Sequence, residues 1–154
     1  MKKFLIFIIT LLLFFLSSFI CPYNREFYSS LTIPSFAPPR FLFPIIWTTL
    51  YILISISVSS IYSKFNFKDI KEYNKSLFFN YIFNQSFSII FFCLENLFFS
   101  FIAALLNFIS ALFLYYETKE LDKFSSYFLI PYVIFSLYAT IVSLTTYFLN
   151  LNLF

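Results

Sequence analysis

The sequence predicts an all-α protein, an integral membrane bundle of five transmembrane helices. Apolar residues make up 61% of the 154-residue chain and charged residues only 11%. The mean hydropathy of +0.88 is far above that of a water-soluble surface. Five apolar runs are each long enough to cross a hydrocarbon core of about 30 Å, which takes roughly 20 helical residues.

We place these helices in a single domain covering residues 1–154, near 3–20, 43–62, 77–94, 97–116 and 127–149. The breaks between them are a proline-rich loop, the charged stretch 63–76, a tight turn at Glu95-Asn96 and the charged turn 117–126. The sequence shows no soluble domain and no internal repeat.

The first apolar run has an alternative interpretation as a secretory signal peptide. Two lysines precede its apolar core, and Ser17 and Ser18 lie near a plausible cleavage point. However, Phe19 and Ile20 occupy the positions where small residues are needed for cleavage. We therefore expect residues 3–20 to form the first helix.

Prolines define the loop after this helix. Pro34, Pro38 and Pro39 fix φ, remove backbone donors and bias the residues before them toward extended conformation. Residues 32–40 should therefore form a stiff non-helical loop. Pro44 stands where a proline costs least, in the first turn of the second helix.

The distribution of basic residues predicts the orientation. One side of a five-span bundle carries only Arg25 and Arg40, whereas the other carries Lys2, Lys3, Lys64, Lys68, Lys71, Lys75, Lys119 and Lys123. The positive-inside rule then places the N-terminus in the cytoplasm and the C-terminus outside. We expect the lysines to lie near anionic lipid headgroups, and the net charge of +3 gives no reason to expect a nucleic-acid partner.

Few polar side chains lie within the spans. Asn80, Asn84 and Ser88 follow one another at i, i+4 spacing and form one stripe toward the bundle interior, with Gln85 on its flank. Such amides either contact a ligand or form interhelical hydrogen bonds worth about 1 kcal/mol each.

The composition excludes several kinds of catalytic site. The chain has no histidine, which rules out a Ser-His-Asp triad, a histidine-ligated zinc and an imidazole haem ligand. Cys21 and Cys93 lack CxxC spacing, so we expect unpaired thiols packed in the membrane, although both lie toward the same side and a disulfide is geometrically feasible. The carboxylates lie in loops, which argues against a proton-coupled transporter.

Helix packing must proceed without glycine, which is absent from the chain. Ser55 with Ser59, and Ser100 with Ala104, supply small residues four positions apart. This spacing suits a neighbouring helix of the same chain or a second protomer in a homodimer.

Three segments in order carry recognisable motifs. In the first loop and second helix the motif residues are Pro34, Ser35, Pro38, Pro39, Phe43, Pro44, Trp47, Thr48, Leu50 and Tyr51. In residues 80–92 they are Asn84, Ser88, Phe91 and Phe92, and in residues 129–150 they are Pro131, Tyr132, Ala139, Thr140 and Asn150. Together these segments resemble the TspO/MBR family, the tryptophan-rich sensory proteins that include the mitochondrial translocator protein.

The chain also departs from the family pattern. Phenylalanine stands where tryptophan is usual at positions 36, 41, 87 and 135, and Ser143 replaces an asparagine. Glu95 occupies a position where the family often has arginine. A family role that requires a second tryptophan in the cavity, or a basic turn, is therefore not expected here.

The resemblance implies a ligand cavity closed by the proline loop. Its expected binding residues are Tyr28, Pro38, Trp47, Tyr51, Asn84, Phe87, Ser88, Phe135 and Ala139. Aromatic walls of this kind suit a porphyrin, a haem, a sterol or a lipid, with no metal site and no required cofactor. Arg25 and Arg40 would meet the propionates of a porphyrin at the cavity mouth.

The resemblance implies a membrane protein that binds porphyrin-like ligands and acts in sensing, sequestration or transport. Some family members are implicated in porphyrin breakdown, so one alternative is a light- or oxygen-dependent enzyme that degrades porphyrins through Trp47, but Phe135 is much harder to oxidise than the indole usual at its position. Another alternative is a structural or lipid-binding protein without a tetrapyrrole site. The mammalian members carry a cholesterol-recognition pattern on the fifth helix that ends in a basic residue, and because no basic residue follows Lys123 here, this pattern is missing.

Overall fold

The structure is a computed structural model that describes residues 2–151, and within this range every regular element is helical. The elements are α1 (Lys2–Ile20), α2 (Arg25–Ser30), α3 (Leu42–Lys64), a 3₁₀ turn (Phe67–Asp69), α4 (Lys71–Ser88), a π turn (Ile89–Cys93), α5 (Leu97–Leu121), α6 (Lys123–Tyr127) and α7 (Ile130–Leu149). Five stretches are long and apolar enough to cross a membrane. The predicted all-α membrane bundle is confirmed.

Two spans are longer than the hydropathy pattern predicts. α4 begins at Lys71 instead of near residue 77, and α5 continues to Leu121 instead of ending near residue 116. Lysine and glutamate are good helix formers, so a helix can continue past the apolar core into the headgroup region. Helix α5 is accordingly about 37 Å long, against about 30 Å for the hydrocarbon.

The last span is broken near its start. A short helix, α6, ends at Tyr127, and α7 begins at Ile130 with Pro131 in its first turn. Proline fits the first turn of a helix, but Pro131 has no N–H to donate to the Tyr127 carbonyl and its ring would clash with that carbonyl, which explains why one continuous helix does not form.

The connection between α1 and α3, residues 21–41, forms a cover loop over one end of the bundle. It contains one helix that the sequence did not predict, α2. Asn24 caps this helix by accepting a hydrogen bond from the Phe27 backbone N–H at 3.1 Å. The second half of the cover loop, from Thr32 to Arg40, is non-helical, as the prolines predict.

The bundle has two different ends. The loop end consists of the cover loop, the turn at 94–96 and Asn150, whose side chain exchanges two hydrogen bonds with the backbone of Thr32. The lysine end consists of the 3₁₀ turn and the α5–α6 junction, where Lys64 Nζ lies 2.6 Å from Asp122 Oδ2. The predicted groups of arginines and lysines thus lie at opposite ends.

The larger of two packed clusters extends from the middle of the bundle toward the lysine end. The side chains of Phe14, Ile54, Ile61, Leu114 and Tyr132 are at most 2% exposed and belong to one cluster. Small residues let the helices approach. Ser55, Ser59, Ser100 and Ala104 are all buried within the single chain. They therefore seat neighbouring helices, and the homodimer remains a prediction without support from these two stripes.

The expectation of free thiols is wrong, because Cys21 and Cys93 form a disulfide whose Cα atoms are 5.7 Å apart. The two residues are 72 positions apart in sequence. α1 and the π turn end side by side, so both cysteines reach the same point at the loop end, at a separation typical of disulfides. The next turn reverses the chain at Glu95, which adopts a positive φ of 52° in a chain that has no glycine to place there.

Candidate ligand-binding cavity

A cavity of about 710 Å³ lies beneath the cover loop, within the range typical of small-molecule sites. Each of the five spans contributes to its wall. Exposed residues of the cover loop, Tyr23, Arg25, Arg40 and Phe41, rim its mouth. The cavity therefore occupies the half of the bundle that the larger packed cluster does not fill.

Eight of the nine predicted binding residues line this one cavity: Tyr28, Trp47, Tyr51, Asn84, Phe87, Ser88, Phe135 and Ala139. Pro38 does not line it. Residues from the cover loop and from three different spans are thus brought together by the helix packing. Whether they bind a ligand remains a prediction.

Aromatic rings form most of the wall. The Trp47 indole lies 5.6 Å from the ring of Phe135 in an edge-to-face arrangement and 5.6 Å from the ring of Tyr51. On the facing side, Phe87 stacks on Phe91 at 5.6 Å. Such rings offer flat, polarisable surfaces on which a planar ligand can stack.

A hydrogen-bond network forms the inner end of the cavity. The Tyr51 hydroxyl donates to Asn84 Oδ1 at 3.1 Å, and Asn84 Nδ2 donates to the Tyr132 hydroxyl at 3.3 Å. Tyr132 also contacts Asn80 and Asn107. Asn84 therefore joins α3, α4 and α7, and the interhelical alternative predicted for this stripe describes much of its role.

Gln85 lies deeper in the structure than its predicted position on the flank of the stripe. Its Oε1 accepts a hydrogen bond from the Ser17 backbone N–H at 2.8 Å, and its Nε2 donates to the Phe14 carbonyl at 3.1 Å. These bonds attach α4 to α1. Gln85 does not line the cavity and acts in packing.

Arg40 supplies charge at the mouth. Its guanidinium carbon lies 5.2 Å from the centre of the Tyr28 ring, and its Nη1 donates to Ser29 Oγ at 3.1 Å. Burial raises the pKa of Tyr28, the charge of Tyr23 adds to this and Arg40 opposes it. The Tyr28 hydroxyl is consequently a neutral donor beside a cation.

Several contacts fasten the cover loop above the cavity. The Tyr138 hydroxyl donates to the Phe36 carbonyl at 2.7 Å, and Asn24 Nδ2 donates to Glu95 Oε1 at 2.8 Å. Glu95, which replaces the family's usual arginine, thus accepts a bond that an arginine could not accept. Together with the disulfide and Asn150, these bonds hold both halves of the loop.

Asn107 is the buried amide of the cavity lining that the sequence interpretation missed, among several other lining residues that it did not name. It lies on α5, is only 4% exposed and lines the inner end. A signal was present, since Asn107 is the only side-chain amide in the apolar run 97–116, and polar groups inside a span are often functional. Within residues 2–151 no three histidine, cysteine, aspartate or glutamate side chains form a metal-binding group.

Comparison with known proteins agrees with this architecture. The model of the TspO/MBR family matches residues 5–149. The chain is 40% identical to the tryptophan-rich protein TspO of Bacillus cereus over 152 residues, which cover 97% of this chain and 99% of that protein.

It is also 36% identical to the uncharacterized membrane protein YtaB of Bacillus subtilis over 146 residues, 95% of this chain and 94% of that one. A shorter match, 56% identity over 34 residues, links it to protein CrtK of Rhodobacter capsulatus and covers 22% and 21% of the two chains. With five membrane-spanning helices and a family match over nearly its whole length, the chain is an integral multi-pass membrane protein that belongs to the TspO/MBR family.

Proposed function

We propose that this protein binds a flat, largely apolar anion of the porphyrin class, such as a porphyrin or haem, in the cavity beneath the cover loop, and acts in sensing, sequestration or transport. One observation carries the proposal: the lining is mostly aromatic and apolar, includes Arg25 and Arg40, and contains no acidic residue among those described. Membrane lipids surround the bundle, and a lipid or sterol ligand is the main competitor for the same site.

The charge pattern favours a particular ligand pose. The two arginines lie at the mouth, where water is available, whereas the inner end is uncharged. A porphyrin carries its two propionates on one edge, so that edge would remain at the mouth beside the guanidinium groups. The apolar macrocycle would then lie between the walls that carry Trp47 and Phe87.

A porphyrin-degrading enzyme is the second candidate, because the sole tryptophan of the chain, Trp47, lies on the cavity wall. The ring in edge contact with it belongs to Phe135, which does not share its ease of oxidation. If light drives breakdown of a bound porphyrin through Trp47, porphyrin absorbance will decay under illumination in the wild type and persist in Trp47→Phe. Equal decay in both would contradict an enzymatic role of Trp47.

For the orientation, we infer that the loop end faces outside a bacterial membrane and the lysine end faces the cytoplasm, so that the N-terminus is inside and the C-terminus outside. Two independent features support this orientation. The lysines satisfy the positive-inside rule. The Cys21–Cys93 disulfide lies at the opposite end, and disulfides persist in oxidising compartments.

Binding is tested by titrating the full-length protein in detergent with protoporphyrin and following Trp47 fluorescence, with free tryptophan as the inner-filter control. Asn84 is a poor target for mutation because it also joins three helices. Ala139→Phe instead fills the cavity from α7, and Leu137→Phe adds a ring at a lipid-facing position of the same helix.

We expect saturable quenching in the wild type and in Leu137→Phe, and at least about tenfold weaker binding in Ala139→Phe, a loss of about 1.4 kcal/mol. Quenching equal to that of free tryptophan would remove the proposed function. Saturable binding that Ala139→Phe leaves unchanged would place the porphyrin outside the cavity.

A further inference from the structure

We propose that Asn107 is a specificity-determining donor at the inner end of the cavity, which selects ligands carrying an oxygen acceptor on the edge opposite their carboxylates. The inference rests on the proposed function, because it concerns the same cavity. It adds a second polar anchor, at the opposite end from Arg25 and Arg40.

The lining residues of each helix locate the inner end. On every span, the lining residue farthest from the loop end marks how deep the cavity extends, and these residues are Phe15, Tyr51, Asn84, Asn107 and Phe135. Asn107 lies near the middle of α5, and the cavity does not extend beyond it along this helix. A ligand that enters from the mouth therefore meets Asn107 with its leading edge.

The network fixes which way the Asn107 amide points. The Tyr132 hydroxyl accepts hydrogen bonds from Asn80 Nδ2 at 3.0 Å and from Asn84 Nδ2 at 3.3 Å. Its single proton then goes to its nearest acceptor, Asn107 Oδ1, at 2.8 Å. With Oδ1 held by Tyr132, the Asn107 amide nitrogen must point away from the network.

That nitrogen is free to bind a ligand. Asn107 is 96% buried, since its exposed fraction is 4%, and its Nδ2 donates to no atom of residues 2–151. The fully enclosed side-chain atoms without a partner in this range are Ser17 Oγ, Ser57 Oγ and Tyr73 Oη. Asn107 Nδ2 is not among them, so it borders the cavity and presents two unused N–H donors there.

A buried donor left unpaired is costly, so a ligand that covers it with hydrocarbon binds more weakly than one that offers an oxygen. A carbonyl at the leading edge satisfies Asn107 Nδ2, whereas an alkyl group there does not. This preference arises only if the ligand enters with its carboxylates last, as the arginines at the mouth require.

Two synthetic porphyrins isolate this interaction. Diacetyldeuteroporphyrin and mesoporphyrin both carry two propionates on one edge, and on the opposite edge they carry acetyl and ethyl groups of nearly equal size. We expect the full-length wild-type protein in detergent to bind the diacetyl compound about tenfold more tightly than mesoporphyrin. This is the effect expected when one buried hydrogen bond is gained. Asn107→Leu, which keeps the volume and removes the donor, should abolish the preference and still bind mesoporphyrin.

Ser110→Ala is the matched control, because Ser110 accepts from Asn80 Nδ2 at 3.1 Å in the same network but does not line the cavity. It should retain the wild-type preference. Equal affinities of the wild type for the two porphyrins, or equal loss of the preference in both variants, would overturn the role of Asn107. The proposed function would still stand in that case, provided that mesoporphyrin binds saturably. If neither porphyrin binds saturably to the wild type, the role of Asn107 and the proposed function both fail. The wild type alone decides this outcome, whether or not the variants fold.

Discussion

The two halves of the bundle are built differently, although the same five spans pass through both. Toward the lysine end, Ile54, Ile61 and Leu114 are fully buried in one cluster. Toward the loop end the helices enclose about 710 Å³ of cavity. The hollow half is held by a disulfide, by hydrogen bonds to the cover loop and by a smaller buried cluster of Phe27, Tyr28, Leu31, Phe91 and Leu97. This difference shows that a membrane bundle can keep a cavity open if packing elsewhere, a disulfide and hydrogen bonds maintain its shape.

The largest effect should distinguish two phenylalanines, Phe14 in the larger packed cluster and Phe135 on the cavity wall. Phe14→Ala removes a ring that contacts Tyr51 and Tyr81 and leaves a new void, so it should lower the free energy of unfolding by about 3–5 kcal/mol. Phe135→Ala enlarges a space that already exists and should cost about 1–2 kcal/mol. Unfolding by SDS in mixed micelles measures both, and equal losses would contradict the difference between the packed cluster and the cavity wall.

The next largest effect is expected for the disulfide. Replacing both Cys21 and Cys93 with serine should lower the stability by about 2–4 kcal/mol, because the link joins residues 72 positions apart and so closes a long loop in the unfolded chain. Thermal unfolding of the wild type should shift downward with reductant, and the double variant should not respond. Two titratable thiols in the unreduced wild type would show that the link is absent.

A smaller effect is expected for the bond between Asn150 and the cover loop. Asn150→Ala removes two hydrogen bonds to the Thr32 backbone, each worth about 1 kcal/mol, and should free the loop locally. Trypsin should then cut after Arg25 and Arg40 several times faster, with little change in the unfolding temperature. Thr145→Ala, a change within α7 that removes only a bond to Ile141, serves as the control.

The smallest effect concerns the surface ion pair at the lysine end. Hydrogen bonds from Lys64 and then Ser125 lower the pKa of Asp122 from its ordinary value of 3.8. A lowered carboxyl pKa stabilises the fold above the ordinary value, and that stabilisation is lost as the pH falls through the lowered one. Because the Lys64 side chain is 48% exposed and that of Asp122 17%, solvent screens the pair, which should contribute at most about 1 kcal/mol.

Asp122→Asn keeps the capping oxygen for Ser125 and removes the charge. The difference in unfolding temperature between wild type and Asp122→Asn should be constant above about pH 5 and should shrink as the pH falls through the ordinary value of 3.8 and then through the lowered one. A difference that grows on acidification would contradict the lowered pKa of Asp122.

Hydropathy was enough to predict the five spans, because backbone groups in lipid must form hydrogen bonds within the protein and a helix is the simplest way to form them. The position of the prolines was enough to predict the non-helical part of the cover loop. The family motifs led to eight residues that line the cavity out of nine expected. Pro38 matches a motif but lies outside the lining, since matching a sequence position does not determine which way the cover loop turns that residue.

Other features depend on contacts between distant segments. The Cys21–Cys93 link requires α1 and the π turn to end at the same point, and no pattern in the sequence reports that distance. Likewise, i, i+4 spacing correctly predicts that Asn84 faces inward, but it does not show that Tyr51 and Tyr132 already occupy most of its hydrogen-bonding groups.

A porphyrin-class ligand that binds beneath the cover loop should leave the lysine end unchanged. Hydrogen exchange with and without protoporphyrin tests this directly, by comparing peptides from the cover loop at 31–41 with peptides from the lysine end at 65–70. We expect slower exchange in the cover loop and no change at the lysine end. Unchanged exchange in the cover loop, or equal slowing at both ends, would contradict binding beneath the cover loop.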